Sequence, residues 1–312
     1  MLSPSRATYR GVTGVSAAFG TFGELLQGAL PEDDGDFLVT LPIARWARAT
    51  FRGVPGTTDV EVWPRHKTKA LRLVRMIMES VPNPAGGVLT IDSQLPEGKG
   101  LASSSADLVA AARAVGNALG VDMPHRRIEG YLRRIEPTDG VLYGGIVAFY
   151  HRRVALRRFL GSLPSMTVVG LDEGGAVDTV EFNRIPKPFS AADRREYARL
   201  LARMTAAVGS ADLAAVGEVA TRSARMNQVL HPKRTLEALV DICGDVGGLG
   251  VVAAHSGTSL GVLLDPADPA CPDRVAAAAS AGLAVAGNVT VYRTLSFPLA
   301  SSRPPELATE VG

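Results

Sequence analysis

The sequence predicts an α+β protein with its helices segregated from a mainly antiparallel sheet, and three observations carry that prediction. Runs such as 45–51 and 59–63 alternate polar and apolar residues, as strands with one wet face do. The run 67–79 places Ala70, Leu71, Val74, Ile77 and Met78 at helical spacing. After residue 190 three helical runs follow one another without an intervening strand, which a regular βαβ alternation would not give. At 312 residues and 46% hydrophobic content, the chain suits one large globular domain or two packed halves.

Taken in order, 12–18 and 37–41 read as short strands, joined by the glycine-rich segment 20–28 and an acidic turn over 32–36. Pro42 and Pro55 are expected in turns. Beyond the helix over 67–79 come a loop at 82–87 and a strand at 88–92. The run 107–119 is a helix of Ala, Val and Leu with few charges, and hence a buried one. A basic amphipathic helix over 125–136 stops at Pro137, so Thr138 and Asp139 are expected on a loop. Strands at 144–150 and 165–171 flank an expected domain boundary near 158–164. Helices over 191–207, 211–229 and 234–245, strands at 250–254 and 259–264, a helix over 273–281 and strands at 283–285 and 289–294 complete the reading. The tail 304–312 is expected to fray.

Charge and cysteine content narrow the function. Lys+Arg 33 against Asp+Glu 31 leaves a net charge of +2, which favours neither nucleic acid nor an anionic membrane, so a small molecule is the expected partner. The arginine pairs Arg126-Arg127, Arg133-Arg134, Arg152-Arg153 and Arg157-Arg158 lack interleaved aromatic residues and read as a solvated face. Cys243 and Cys271 fit neither a disulfide framework nor a zinc site. Residues 1–14 carry Arg6 and Arg10 with no apolar run behind them, and no apolar stretch approaches the roughly 20 residues that span a bilayer. A cytoplasmic, soluble protein is expected.

One stretch concentrates chemistry: Pro96, Glu97, Gly98, Lys99, Gly100, Leu101, Ala102, Ser103, Ser104 and Ser105, between a strand and the apolar helix. Glycines permit close backbone approach, and the first turn of a helix offers free amides and hydroxyls, which together make an anion site suited to phosphate. Gly98-Lys99 is followed by Gly100 rather than Ser or Thr, so this is not a Walker loop, and Ser103 replaces the last glycine of G-x-G-x-x-G. The serines are expected to cap the helix.

Residues 95–107 resemble the second motif of the galactokinase, homoserine kinase, mevalonate kinase and phosphomevalonate kinase (GHMP) superfamily. Residues 19–28 and 254–258 stand where its first and third motifs belong. Within the superfamily, Gly23-Glu24-Leu25-Leu26-Gln27-Gly28, Glu136-Pro137-Thr138-Asp139 and Ala254-His255-Ser256-Gly257-Thr258 are most similar to the L-threonine kinases of cobalamin biosynthesis. Phe22 departs from the small residue or cysteine expected there. The resemblance implies two halves, 1–160 like a ribosomal protein S5 domain and 161–312 ferredoxin-like, with ATP and substrate between them.

It also implies an ATP- and Mg²⁺-dependent kinase acting on the hydroxyl of a hydroxy amino acid, most readily L-threonine. Homoserine, serine or a specialised-metabolite alcohol are alternative acceptors, and a non-catalytic nucleotide or amino-acid binder is an alternative of another class. Asp139 would be the base, residues 96–105 would hold the phosphates, and Ser104 with Glu136, or else Glu129, would hold the metal. Glu24, Gln27, Thr138, His255, Ser256, Gly257 and Thr258 would face the substrate, although Glu24 is equally readable as a strand-end carboxylate and a lone histidine such as His255 is more often structural, which leaves Ser256, Gly257 and Thr258 as the ligand-contacting part.

Overall fold

In the computed structural model, residues 12–298 are described, apart from 32, 83, 85, 178 and 183. Glu32 of the acidic turn, Asn83 and Ala85 of the following loop, the basic start with Arg6 and Arg10, and the tail 304–312 lie outside the described residues.

Two long strands, β1 (Thr13–Leu30) and β2 (Asp33–Gly53), pair antiparallel along most of their length. β3 (Val60–Trp63), α1 (Thr68–Glu79), β4 (Gly87–Ser93), α2 (Ser103–Leu119) and α3 (His125–Leu132) follow. Next come β5 (Ile146–Tyr150), β6 (Ala155–Gly161), β7 (Thr167–Asp172) and the short α4 (Thr179–Phe182). α5 (Ala191–Ser210), α6 (Leu213–Met226) and α7 (Leu236–Asp245) precede β8 (Gly250–Ala253), β9 (Ser259–Leu264), α8 (Cys271–Ala286) and β10 (Thr290–Arg293). The ten strands form one sheet in the order β10-β7-β9-β8-β1-β2-β4-β3, with β5 on β2 and β6 on β5. Only β3–β4 is parallel among the strand pairs of the described residues. The fold is α+β, and its sheet continues across the expected boundary at 160/161.

Several expectations change. Residues 20–28 are not a loop: β1 runs through them, with register shifts at Phe19/Gly20, Thr21/Glu24 and Glu24/Leu26. Bulges of this kind let a glycine-rich, turn-like sequence stay in a sheet. Pro42 is inside β2, opposite Thr21, where the β1 register is already broken and a missing amide costs least. Residues 283–285 belong to α8, which continues to a left-handed Gly287; alanine flanks carry the helix through a short apolar run that alone reads as a strand. β6 went unrecognised because Arg157 and Arg158 interrupt its apolar pattern.

α2 is buried on nearly every side, including Ser103, Ser105 and Asp107, and it packs on β1 and β2 as its apolar composition requires. α6 lies on β8 at backbone contact: a Cβ on Gly217 would sit 2.0 Å from Leu249 O. That approach brings Ser223 of α6 to β1, where its hydroxyl accepts the Gln27 amide at 3.0 Å. Among the described residues, no helix is long and apolar enough to cross a membrane. Gly217→Ala is therefore expected to destabilise the protein by about 2 kcal/mol or more, read as a lower urea midpoint; an unchanged midpoint would contradict this packing.

Candidate active site

The segment between β4 and α2 is built from left-handed residues, Gly98 (φ 72°), Gly100 (φ 81°) and Ala102 (φ 57°). Ala102, a non-glycine in that region, costs on the order of 1 kcal/mol, which the surrounding structure must supply. The supply is visible in the carbonyls. Val177 N donates to Gly98 O (3.3 Å), Ser259 N to Lys99 O (3.3 Å), Gly23 N to Gly100 O (3.1 Å) and Thr21 N to Leu101 O (3.3 Å). Gly100 has no room for a side chain, since a Cβ there would stand 2.2 Å from Ala254 Cβ. All three glycine-rich motifs thus meet at one junction.

The serines do not cap α2. Its N-cap is Ala102, with no side-chain cap, and Ser103, Ser104 and Ser105 are the first three residues of the helix itself. Ser104 Oγ donates to Glu136 Oε1, and Ser105 Oγ accepts the Asp139 amide at 3.1 Å. Ser103 Oγ is buried without a hydrogen-bond partner among the described residues.

Beside this loop lies a cavity of about 300 Å³. Pro96, Glu97, Gly98 and 100–105 line one side of it, and 136–139 are also in the lining. Glu136 is buried and belongs to the site; Glu129 does not, being held by Tyr143 Oη (2.8 Å) and the Leu156 amide (3.2 Å). Thr138 is fixed by its amide to His151 O (3.0 Å) and by its hydroxyl to Glu136 O (3.1 Å). Burial, followed by the neighbouring Glu136, pushes the Asp139 carboxyl up to about 6. Burial and Asp139 also hold Glu24 well above the usual carboxylate range.

The third motif forms the turn from β8 to β9, and only its His255 and Ser256 line the cavity. Gly257 O accepts from His231 Nε2 (3.0 Å) and from Lys233 Nζ, while Thr258 Oγ1 donates to Asp172. His255 N donates to Glu24 Oε2 at 2.6 Å. Gln27 faces away from the cavity: its Nε2 donates to Ala253 O (3.2 Å), so its Oε1 accepts from His255 Nδ1 (2.8 Å). Burial, then His151, keeps the His255 imidazole neutral, its pKa far below the ordinary value. Its Nε2, buried and unpartnered among the described residues, is therefore a bare acceptor. Lys99 likewise turns away, to Asp172 (2.6 Å) and Gly175 O (2.6 Å). Phe22 points into the core against Tyr292, with ring centroids 5.0 Å apart.

Among the cavity residues to which sequence reasoning gave no site role are His66, Lys67, Lys69, Asp107 and His151. Lys67 bridges Glu97 (2.5 Å) and the buried Asp107 (2.6 Å), and Lys69 bonds Glu136. The available signal was scarcity, because two of only five lysines open one helix.

A phosphate-bearing ligand with a divalent cation fits these residues. Ser103 Oγ is buried in the cavity wall without a partner among the described residues, and the first-turn amides of α2 have no intrahelical partners. Glu136 and Ser104 offer a hard cation one carboxylate and one hydroxyl. No group of three or more His, Cys, Asp or Glu among the described residues could hold a metal alone, so such a cation would share phosphate oxygens, as Mg²⁺ does.

Comparison with known proteins points the same way. Residues 68–152 match the GHMP kinases N terminal domain. An L-threonine kinase of Citrobacter freundii is 26% identical over 244 residues, 78% of this chain and 83% of that protein. An L-threonine kinase of Salmonella typhimurium is 26% identical over 251 residues, 78% of this chain and 80% of that protein. The crystal structure of homoserine kinase from Cytophaga hutchinsonii superimposes with a TM-score of 0.70 at 15% identity, covering 95% of this chain and 98% of that one. Residues 68–152 thus carry the match to the GHMP kinases N terminal domain, and the relatives and the fold agree with it.

Proposed function

We propose that the protein is an ATP- and Mg²⁺-dependent kinase that phosphorylates the side-chain hydroxyl of a hydroxy amino acid, L-threonine before others, giving O-phospho-L-threonine and ADP. The observation that carries this reading is Asp139. It is a buried carboxylate titrating at about 6, in the same cavity as an anion-binding loop, and so is ionised and basic at neutral pH. The relatives named L-threonine kinase support the choice of acceptor.

ATP with Mg²⁺ would supply the transferable phosphoryl group and the positive charge that spreads over its oxygens. The chain's own residues do the rest. Gly98, Gly100 and the first-turn amides of α2 hold phosphate, with Ser103 Oγ as a further donor. Ser104 and Glu136 hold the cation. Asp139 accepts the proton of the acceptor hydroxyl, oriented by the Ser105 contact to its amide. Glu24 and His255 Nε2 hold the ammonium group of the amino acid, since both are acceptors on the cavity wall. Gln27 acts through His255, and Thr138 fixes the turn that carries the base. Lys99, Gly257 and Thr258 brace the loop, and Ser256 completes the substrate wall. Residues 1–160 form the nucleotide half and 161–312 the half that closes it, in a cytoplasmic protein whose two cysteines are free and buried.

Three outcomes follow from these roles. In ligand-free protein, ¹³C-carboxyl NMR is expected to show one aspartate titrating near 6 that vanishes in Asp139→Asn; titration of that group near 4 would remove the poised base. Asp139→Asn is expected to keep nucleotide affinity while kcat falls by about 10²–10⁴-fold, and unchanged turnover would exclude Asp139 as the base. In a coupled assay of ADP release, kcat/KM is expected to be highest for L-threonine among L-threonine, L-homoserine, L-serine and simple alcohols. A higher value for another alcohol would replace the acceptor, and release with none would leave only a binding protein.

A further inference from the structure

Among the described residues the cavity is lined by no arginine and by two lysines, Lys67 and Lys69. The remaining three lysines are committed elsewhere. Lys99 pairs with Asp172, Lys233 bonds Gly257 O, and Lys187 lies beside Asp36 and the Phe182 ring. A phosphoryl group in transfer needs positive charge directed at its oxygens, and among the described residues of the cavity wall the permanent cations are Lys67 and Lys69.

Lys67 is locked: its side chain is 13% exposed and bridges two carboxylates. Lys69 is 45% exposed, and its one ion-pair partner among the described residues is Glu136, whose side chain is 1% exposed. Glu136 has one oxygen on Ser104 and the other on Lys69. The ammonium therefore occupies a position that a divalent cation on Glu136 would need. Two cations cannot share that carboxylate oxygen without strong repulsion. Lys69 also stands in the first turn of α1, where a positive charge opposes the helix dipole. A lysine kept there against that preference, on a flexible four-carbon stem, is suited to move.

Resting on the kinase reading, we propose that Lys69 is a mobile cation. It neutralises buried Glu136 while no divalent cation is bound, and turns to the transferred phosphoryl group when one takes its place.

The test uses Mn²⁺ as the probe, followed by water-proton relaxation in nucleotide-free protein, with wild type, Lys69→Met and Glu136→Gln. Removing the competing ammonium is expected to tighten Mn²⁺ binding about tenfold in Lys69→Met and to make its Tm more dependent on Mn²⁺, effects that a merely structural lysine would not produce. Glu136→Gln is expected to abolish the Mn²⁺ signal. With ATP and acceptor, Lys69→Met is expected to lower kcat about 10²–10³-fold at unchanged acceptor KM. Equal or weaker Mn²⁺ binding by Lys69→Met overturns the exchange, and an undiminished kcat overturns the phosphoryl role. The Mn²⁺ arm needs no acceptor, so a wild type that releases no ADP would overturn the kinase reading alone.

Discussion

The structure depends on a backbone junction at which three segments far apart in sequence come too close for side chains. Gly23 on the β1 bulge, Gly100 in the loop before α2 and Gly257 in the β8–β9 turn occupy it. A Cβ on Gly257 would lie 2.1 Å from Gly100 N, and one on Gly23 would lie 2.7 Å from Ala253 O. Main-chain bonds from Gly23 and Ser259 then take the carbonyls of Gly100 and Lys99. With its carbonyls held from both sides, the loop keeps a left-handed conformation and the start of α2 is fixed beside the cavity. Preorganisation of this kind lets a site bind phosphate without first ordering itself.

Electrostatics completes the arrangement. Glu24, Asp107, Glu136 and Asp139 surround a small volume in which, among the described residues, Lys67 and Lys69 alone offer permanent positive charge. Burial keeps Asp107 above its usual range even with Lys67 attached, burial and then Asp139 raise the cost of ionising Glu24, and burial and then Glu136 do the same for Asp139. Such an excess of buried carboxylate is unfavourable for the empty protein and becomes favourable once cations enter.

Much of this was legible in the sequence, for a physical reason. Glycines at a junction and hydroxyls at a helix start cannot be exchanged for other residue types, so the motifs around Gly23, Gly98 and Gly257 announce themselves. The same glycines misled on local structure, because a turn and a bulged strand place the same demand on the backbone. That is why residues 20–28 read as a loop. Direction was less legible than position: Lys99, Gln27 and Thr258 lie in the motifs yet brace them, while Ser103, Ser104 and Ser105 face Glu136, Asp139 and the cavity instead of capping α2. The choice between Glu129 and Glu136 needed Tyr143, a partner no local pattern supplies. Lys67 and Lys69 received no site role from sequence, because only the tertiary fold brings them against 97 and 136.

The central claim is that the loop before α2, pinned at this junction, is the seat of a nucleotide triphosphate. A crystal structure with Mg²⁺ and a non-hydrolysable ATP analogue tests it most directly. The account predicts phosphate oxygens on the amides between Gly98 and Ser105, with the cation on Ser104 and Glu136. Nucleotide bound outside this cavity, or phosphates directed away from the α2 N-terminus, would contradict it.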